Sequence, residues 1–157
     1  ARQARLAITP EAIIDDDVPK LYLRASCKGN PGPGGWGVVL ANEEGTEQKS
    51  GSVPDATNNR MEIMAAIEAL LMLPPNSEAQ IFTTSDYLFQ GVTKWIHGWR
   101  RRSWLKKGGK PVANADLWQA LDKLMDQYVV RWINAKGQDI PELEDAGKLA
   151  TSAVDIV

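Results

Sequence analysis

Three stretches of this chain decide its fold: Gly29-Asn30-Pro31-Gly32-Pro33-Gly34-Gly35-Trp36-Gly37, Thr57-Asn58-Asn59-Arg60-Met61-Glu62 and Trp95-Ile96-His97-Gly98-Trp99. The first predicts a tight turn between strands, because Gly permits positive φ and Pro stiffens the backbone. The second opens a segment, up to Leu71, whose apolar residues recur at spacings of three and four, as on one face of a helix. The third begins a basic segment rich in tryptophan.

The apolar pattern of the whole chain predicts five strands and a set of helices. Short apolar runs rich in β-branched and aromatic residues indicate strands at 20–26, 36–41, 46–53, 80–84 and 128–134. Helical spacing indicates helices over 61–71, 85–95, from 117 onward and over 142–153. The order βββαβααβα predicts a five-stranded mixed sheet with helices packed on it, which is an α/β (α+β mixed) layer fold.

Length and composition suit one domain with a single buried core, since the chain has 157 residues, of which 43% are hydrophobic and six are Trp. The net charge of −2 does not itself indicate a polyanionic partner, although overall balance can hide a local patch. A lone cysteine, Cys27, rules out an internal disulfide and fits a reducing compartment. No apolar run approaches the ~18 residues of a membrane span, and none resembles a secretory signal. We therefore expect an intracellular protein, cytoplasmic or organellar, with no membrane partner.

Residues 1–19 differ from the rest of the chain. A basic block at 1–5 is followed by an acidic block at 15–17, and Pro10 and Pro19 interrupt the segment. Prolines and clusters of like charge argue against a long regular element. The sequence is therefore divided into an N-terminal arm, residues 1–19, and a domain, residues 20–157. The arm is a candidate contact for a protein or ribonucleoprotein partner, or the remnant of a processed targeting segment.

The segment from Trp95 to Lys110 carries charge of one sign. Its basic residues are interleaved with aromatic ones and include no acid: Arg100, Arg101, Arg102, Lys106, Lys107 and Lys110, with Trp95, Trp99 and Trp104. Basic side chains release counterions from a phosphate backbone, and aromatic rings offer faces to sugars and bases. The alternative is a solvated face whose Trp side chains pack on the core. Charge of one sign on a slightly acidic chain favours nucleic acid, whereas His97, with no Cys, His or acid beside it, is assigned to packing or a backbone hydrogen bond.

Together the three stretches resemble ribonuclease H of type 1, a family that cleaves the RNA strand of an RNA–DNA hybrid with two metal ions held by acidic side chains. The resemblance covers residues 20–153 and implies the ribonuclease H-like fold. It implies that the Gly/Pro turn and the Asn pair approach the minor groove of a hybrid, where 2′-hydroxyls distinguish RNA from DNA, and that residues 95–110 form a basic protrusion on the DNA strand. The residues implied on the RNA side are Asn30, Thr57, Asn58 and Asn59. Capping of the following helix by Asn58 or Asn59 is compatible with that role.

The acidic residues of the family are mostly missing from this chain. Glu62 matches one of four family carboxylates, but Arg24, Thr84 and Gly147 stand where the resemblance calls for the other three. The loop at 135–141, which contains His in the family, has none here. Two-metal hydrolysis needs several acids to hold two cations a few ångströms apart, so we expect no intact catalytic set and no metal site.

Acids at neighbouring positions are not expected to replace the missing ones. Asp86 and Asp145 are each two residues from a lost acid, and in a helix a shift of two turns a side chain by about 200°. We therefore expect the side chains of both to point away from Glu62. Asp139 lies in the loop at 135–141, where it replaces loop residues of the family. Arg24 is expected within hydrogen-bonding reach of Glu62, as the counter-charge that stands in for the metal.

These features predict a ribonuclease H-like domain that binds RNA–DNA hybrid or structured RNA and has lost two-metal nuclease activity, a pseudo-enzyme with no cofactor. One alternative is a non-catalytic structural subunit of a larger ribonucleoprotein or protein assembly. The other is an active RNA–DNA hybrid ribonuclease with an altered acid set, which would require Mg²⁺ or Mn²⁺.

Overall fold

The computed structural model describes residues 6–8 and 17–155. The strands are β1 (Leu6–Ile8), β2 (Lys20–Cys27), β3 (Gly32–Asn42), β4 (Gly45–Ala56), β5 (Glu78–Thr83) and β6 (Val129–Asn134). The helices are α1 (Asn58–Leu70), α2 (Asp86–Gln90), α3 (Ile96–Arg101), α4 (Ala115–Met125) and α5 (Pro141–Asp155), and a π-helical turn at Gly91–Trp95 joins α2 to α3. The expected order βββαβααβα is confirmed for residues 20–153. In this order α2, the π turn and α3 count as one helix, because they form one continuous helical rod.

The sheet is mixed, in the strand order β1-β6-β5-β2-β3-β4. The five expected strands form its body: β2, β3 and β4 are antiparallel neighbours, while β5 runs parallel to both β2 and β6. A sixth strand comes from the N-terminal arm, since β1 pairs in parallel with β6, with Leu6 opposite Arg131 and Ile8 opposite Ile133. Residues 6–8 of the expected arm are thus part of the sheet, and the charged blocks at 1–5 and 15–16 lie outside the described residues.

Helices cover both faces of the sheet, as the alternation of side chains along each strand requires. On one face, Leu21 and Leu23 of β2 are fully buried in the large core that includes residues of α1 and α4. On the other face, Tyr22 stacks on Phe82, with ring centroids 4.7 Å apart, and packs in a smaller cluster that includes Leu143 of α5. The even-numbered positions of β2 therefore face α5.

The backbone of α5 lies unusually close to β3. A Cβ atom on Gly35 would collide with the carbonyl oxygen of Ala150, and one on Gly37 with that of Ala146. Glycine at these strand positions lets the helix approach where any side chain would hold it away. This close approach places the middle of α5 directly beside the carboxyl end of β2.

The rod from Asp86 to Arg101 is longer than the helix expected at 85–95. Its start agrees with the sequence, since the Ser85 hydroxyl caps it by accepting a hydrogen bond from the backbone N–H of Leu88 at 3.0 Å. The π turn lies where Gly91 faces the ring of buried Trp118, which leaves no space for a Cβ atom. No helix among the described residues is long and apolar enough to cross a membrane.

Candidate functional site

The Gly/Pro turn and the start of α1 lie against each other. The Asn30 side-chain carbonyl accepts a hydrogen bond from the backbone N–H of Asn58 at 3.0 Å. The Cys27 thiol lies 3.6 Å from the carbonyl oxygens of both Gly32 and Ala56. It therefore contacts both the Gly/Pro turn and the residues just before α1. The structure therefore brings Asn30, Thr57 and Asn58 together on one surface.

The cap of α1 is Thr57 and not an asparagine. The Thr57 hydroxyl accepts a hydrogen bond from the backbone N–H of Arg60 at 3.2 Å, and Thr57 has the extended backbone of an N-cap residue. The expectation that Asn58 or Asn59 caps the helix is wrong, because both already have helical backbone as its first two residues. Their side chains are exposed beside the turn.

Two of the three positions where the resemblance calls for acids lie on, or directly after, adjacent parallel strands. Leu23 of β2 pairs with Thr83 of β5, and the two strands run parallel. Arg24 and Thr84 are the residues that come next in the chain after this pair. Gly147 of α5 lies against Arg24: a Cβ atom on Gly147 would be 3.4 Å from the guanidinium carbon. Arg24 therefore lies beside Gly147, and Thr84 directly follows the adjacent strand, β5.

Glu62 is buried at this cluster, with 4% of its surface exposed, and its Oε2 atom has no hydrogen-bond partner. Burial raises the pKa of Glu62 from its ordinary value of 4.5 to about 7, and the charge of Arg24 opposes this rise. Desolvation is the larger effect, so the carboxyl is close to half-protonated at neutral pH.

The expected hydrogen bond between Arg24 and Glu62 is not formed. Among the described residues, Arg24 donates from Nη1 to the backbone carbonyl of Leu143 at 3.3 Å, and no ion pair within 4.0 Å joins it to Glu62. The side chain is directed to the first turn of α5, where it contacts the Leu143 carbonyl. Arg24 therefore acts on Glu62 through its charge at longer range.

The neighbouring acids do not complete a metal site. Asp86 accepts hydrogen bonds from Asn134 Nδ2 at 3.0 Å and Lys136 Nζ at 2.7 Å, and the Lys136 contact is the larger of the two that lower its pKa. Asp145 lines a depression with Gln48 and Lys148. Within residues 6–8 and 17–155, no three His, Cys, Asp or Glu side chains lie close enough to hold a metal ion. The side chains present do not fit a pair of metal ions, whose stable binding calls for several acids.

An open cavity of about 670 Å³ lies over the cluster, between β2 and α5. It is lined by Arg24, Ala25, Glu144, Gly147, Lys148, Thr151 and Ser152. The sequence interpretation did not single out the α5 residues Lys148, Thr151 and Ser152. Helical spacing was the available signal, because Thr151 is one turn beyond Gly147 and projects on the same side.

The tryptophans of the basic segment form an aromatic cluster. Trp99 lies at its centre, with ring centroids 5.9 Å from Trp95, 6.1 Å from Trp104 and 5.3 Å from Trp118. Trp99 and Trp104 pack against the main core, so the packing interpretation describes their contacts, whereas Trp95 is 40% exposed. Trp95 is thus the ring of this segment that is most available to a ligand.

Arg100 is engaged within the fold. Its guanidinium forms a two-pronged pair with the Asp122 carboxylate, through an Nε–Oδ2 hydrogen bond of 2.8 Å and a second bond from Nη2 to Oδ1. Asp122 is 8% exposed, so this pair fastens α3 to α4. Its geometry gives Arg100 a structural role that the sequence interpretation did not foresee.

Replacing Asp122 with Asn is expected to lower the free energy of unfolding by about 2 kcal/mol, because it leaves a largely shielded guanidinium without its counter-charge. Urea denaturation at neutral pH measures this. Arg101→Gln is the matched control, since Arg101 is the next residue but is exposed. Equal effects of the two substitutions would contradict a structural role for the pair.

The remaining cations of the protrusion are exposed. Within the described part of the chain, no acid lies within 4.0 Å of Arg101, Arg102, Lys106, Lys107 or Lys110. Leu105 and Pro111 form a β-bridge, and Gly108 and Gly109 have positive φ, so the lysines are carried on a closed loop. His97 is exposed on α3 and belongs to no metal-binding group among the described residues.

Comparisons with known proteins agree with this architecture. The family model for RNase H matches residues 17–155. A Ribonuclease H from Erythrobacter litoralis is 44% identical over 138 residues, which cover 87% of this chain and 96% of that protein. Among solved structures, LC9-RNase H1, a type 1 RNase H with the type 2 active-site motif, has a TM-score of 0.78 and 30% identity over 92% of this chain and 75% of its own.

A further solved structure has the same fold at lower identity. It is a foamy viral protease-reverse transcriptase in complex with RNA/DNA hybrid, with a TM-score of 0.73 and 22% identity over 95% of this chain and 23% of its own. The family match spans both the sheet and the residues around Arg24, Glu62 and Gly147. This chain belongs to the RNase H family.

Proposed function

We propose that this protein is a ribonuclease H-like domain that binds RNA–DNA hybrid or structured RNA and has lost two-metal nuclease activity. The observation that carries the proposal is the contact between Arg24 and Gly147, at the carboxyl end of β2, with Glu62 buried beside them. A fixed cation and a missing side chain stand where carboxylates would be needed. A guanidinium repels divalent cations and remains charged at any working pH.

The binding half of the proposal is supported by the surface around this cluster. Asn30, Thr57 and Asn58 lie together at the turn, and exposed cations extend from Arg101 to Lys110. Neutral hydrogen-bonding groups suit the sugar and phosphate oxygens of an RNA strand, and one-signed charge suits a phosphate backbone. A structure with the same fold contains RNA/DNA hybrid, which agrees with a hybrid ligand for this chain.

A second candidate is an active RNA–DNA hybrid ribonuclease that uses Mg²⁺ or Mn²⁺. It is favoured by the name Ribonuclease H of a relative at 44% identity. The two candidates share the binding surface and differ only in whether the site can hold metal ions and cleave.

One experiment separates the candidates. Labelled RNA–DNA hybrid, double-stranded RNA and double-stranded DNA are each incubated with the protein in Mg²⁺, in Mn²⁺ and in EDTA. Fluorescence anisotropy reports binding, and denaturing gels report cleavage. Binding of hybrid or RNA in EDTA without cleavage in either metal supports the proposal. Metal-dependent cleavage abolished by Glu62→Gln establishes the nuclease, whereas weak binding indifferent to duplex type indicates a structural subunit of a larger assembly.

The exposed cations of the protrusion are expected to set the salt dependence of binding. Replacing Arg101, Arg102 and Lys106 with Ala should weaken hybrid binding and reduce the slope of log affinity against log salt by about one unit per lost phosphate contact. Arg100 is left in place because it pairs with Asp122. Lys123→Ala, at an exposed lysine of α4, is the control, and an unchanged slope in the triple variant would contradict the protrusion as a binding surface.

A further inference from the structure

The cavity over the lost acid positions is basic and open to solvent. Arg24 enters it from β2, and Lys148, which is exposed, enters it from α5. The hydroxyl groups of Thr151 and Ser152 line the same wall of α5, and the carboxylate of Glu144 lies at the rim. A second exposed acid, Asp145, lines an adjoining depression together with Lys148 and Ser152. The two cations and two hydroxyls of the cavity supply donors for an anion with several oxygen atoms.

The guanidinium of Arg24 is held in place by one hydrogen bond to a described residue and keeps further N–H donors for a ligand. Its one hydrogen bond to a described residue, from Nη1 to the Leu143 carbonyl at 3.3 Å, orients the group and leaves most of its five N–H donors available. Gly147 faces the guanidinium directly, because a Cβ atom at this position would lie 3.4 Å from the guanidinium carbon, at van der Waals distance.

We infer that this cavity binds a phosphate of the nucleic-acid backbone directly, through Arg24 and Lys148, without a metal ion. The inference rests on the proposed function and names how the former acid cluster contributes to it. Arg24 supplies a fork of N–H donors that matches two phosphate oxygens, Lys148 supplies a second positive charge, and Thr151 and Ser152 supply hydroxyl donors.

The position of the cavity fits a duplex that also reaches the Gly/Pro turn. Ala25 lines the cavity, and Cys27, two residues further along the same strand, contacts the turn and the segment before α1. At about 3.3 Å per residue, Arg24 and Cys27 are about 10 Å apart. A backbone whose strands carry a phosphate every few ångströms can therefore contact both places at once.

The test uses Gly147→Asp against Gly147→Asn. Aspartate at 147 would pair with the Arg24 guanidinium and neutralise the cavity, whereas asparagine has the same size and no charge. Hybrid binding is measured by anisotropy in EDTA across a salt series. We expect Gly147→Asp to weaken binding about tenfold and to reduce the salt slope by about one unit, since one phosphate contact is lost. Gly147→Asn adds the same bulk without the charge, so it should weaken binding less than Gly147→Asp and leave the salt slope unchanged.

A second pair of variants removes the dependence on how Gly147 variants fold. Lys148→Gln should weaken hybrid binding several-fold, while Lys123→Gln, at an exposed lysine of α4, should not. Amide NMR of the natural chain gives a third readout, because the Gly147 and Thr151 signals should shift on addition of hybrid in EDTA.

The possible outcomes are distinct. If the natural chain binds hybrid but Gly147→Asp and Lys148→Gln bind it equally well, the inference is overturned while the proposed function stands. If the natural chain binds no duplex, the proposed function fails, and titration with inorganic phosphate then shows whether the cavity takes an anion. Shifts of Gly147 and Thr151 with inorganic phosphate but not with hybrid would overturn the backbone assignment in favour of a free phosphate.

Discussion

A variant carrying Arg24→Asp, Thr84→Asp and Gly147→Asp together is expected to cleave RNA–DNA hybrid in Mg²⁺, while the natural chain does not. Arg24 lies beside Gly147 and acts on Glu62 through its charge, and Thr84 follows the residue of β5 that pairs with Leu23, so the changes would place three further carboxyl groups near Glu62. Several acids near one another can hold the metal ions that two-metal hydrolysis needs. We expect at least about a hundredfold gain in cleavage rate, a small part of the acceleration of about 10⁶ or more that enzymes provide.

The gain should depend on every acid and on the metal. Adding Glu62→Gln to the triple variant should remove it, and EDTA should do the same. Without metal, four clustered carboxyl groups repel one another, so the melting temperature of the triple variant should rise when Mg²⁺ is added, whereas that of the natural chain should not. Cleavage by the natural chain itself would contradict the proposed loss of activity.

The body of the fold could be predicted because local patterns and tertiary packing agree. The order of strands and helices over 20–153 follows from apolar periodicity and from clear breaks at Gly and Pro. Strand β1 could not be predicted, because Leu6–Ile8 is three residues long and its pairing with β6 is settled by an available sheet edge. The π turn at Gly91–Trp95 was also missed, since it depends on the ring of Trp118, which is distant in sequence.

The residues of the site could be named from sequence, but not their partners. The placement of Arg24, Thr84 and Gly147 at one site came from the resemblance to ribonuclease H, and the structure puts Arg24 beside Gly147. The direction of the Arg24 side chain was not predictable, because it depends on the Leu143 carbonyl of a helix that is distant in sequence. Likewise Arg100 looked like its neighbours in a basic run, and only the register of α3 against α4 assigns it to Asp122.

The fold therefore contains a carboxyl group that the proposed function does not use. Glu62 is buried, and its Oε2 atom has no hydrogen-bond partner. The charge of Arg24 acts on it, but the Arg24 side chain is directed to α5. An uncompensated buried carboxylate is unfavourable, and removing its charge should stabilise the protein.

Replacing Glu62 with Gln is expected to raise the free energy of unfolding at pH 8 by about 3 kcal/mol relative to the natural chain, and to change it little at pH 4. Burial raises the pKa of Glu62 from 4.5 to about 7 in the folded protein. Below pH 4.5 the group is protonated whether the chain is folded or not, so burial of charge has no cost. Between pH 4.5 and about 7, Glu62 ionises in the unfolded chain but stays protonated in the folded one, so the free energy of unfolding falls. Above this range Glu62 is ionised in both states, and the loss of stability is constant.

Urea denaturation of the natural chain and of Glu62→Gln between pH 4 and pH 8 measures this difference directly. Glu47→Gln is the control, because Glu47 lies on β4 with its side chain exposed, and removing its charge relieves no burial. Arg24→Gln should act in the opposite sense: without the cation that favours the charged form, the pKa of Glu62 should rise further and the loss of stability should extend to higher pH. A difference between Glu62→Gln and the natural chain that is constant with pH would show that the carboxyl is already balanced by a partner, and a shift to lower pH in Arg24→Gln would show that Arg24 is not the charge that acts on it.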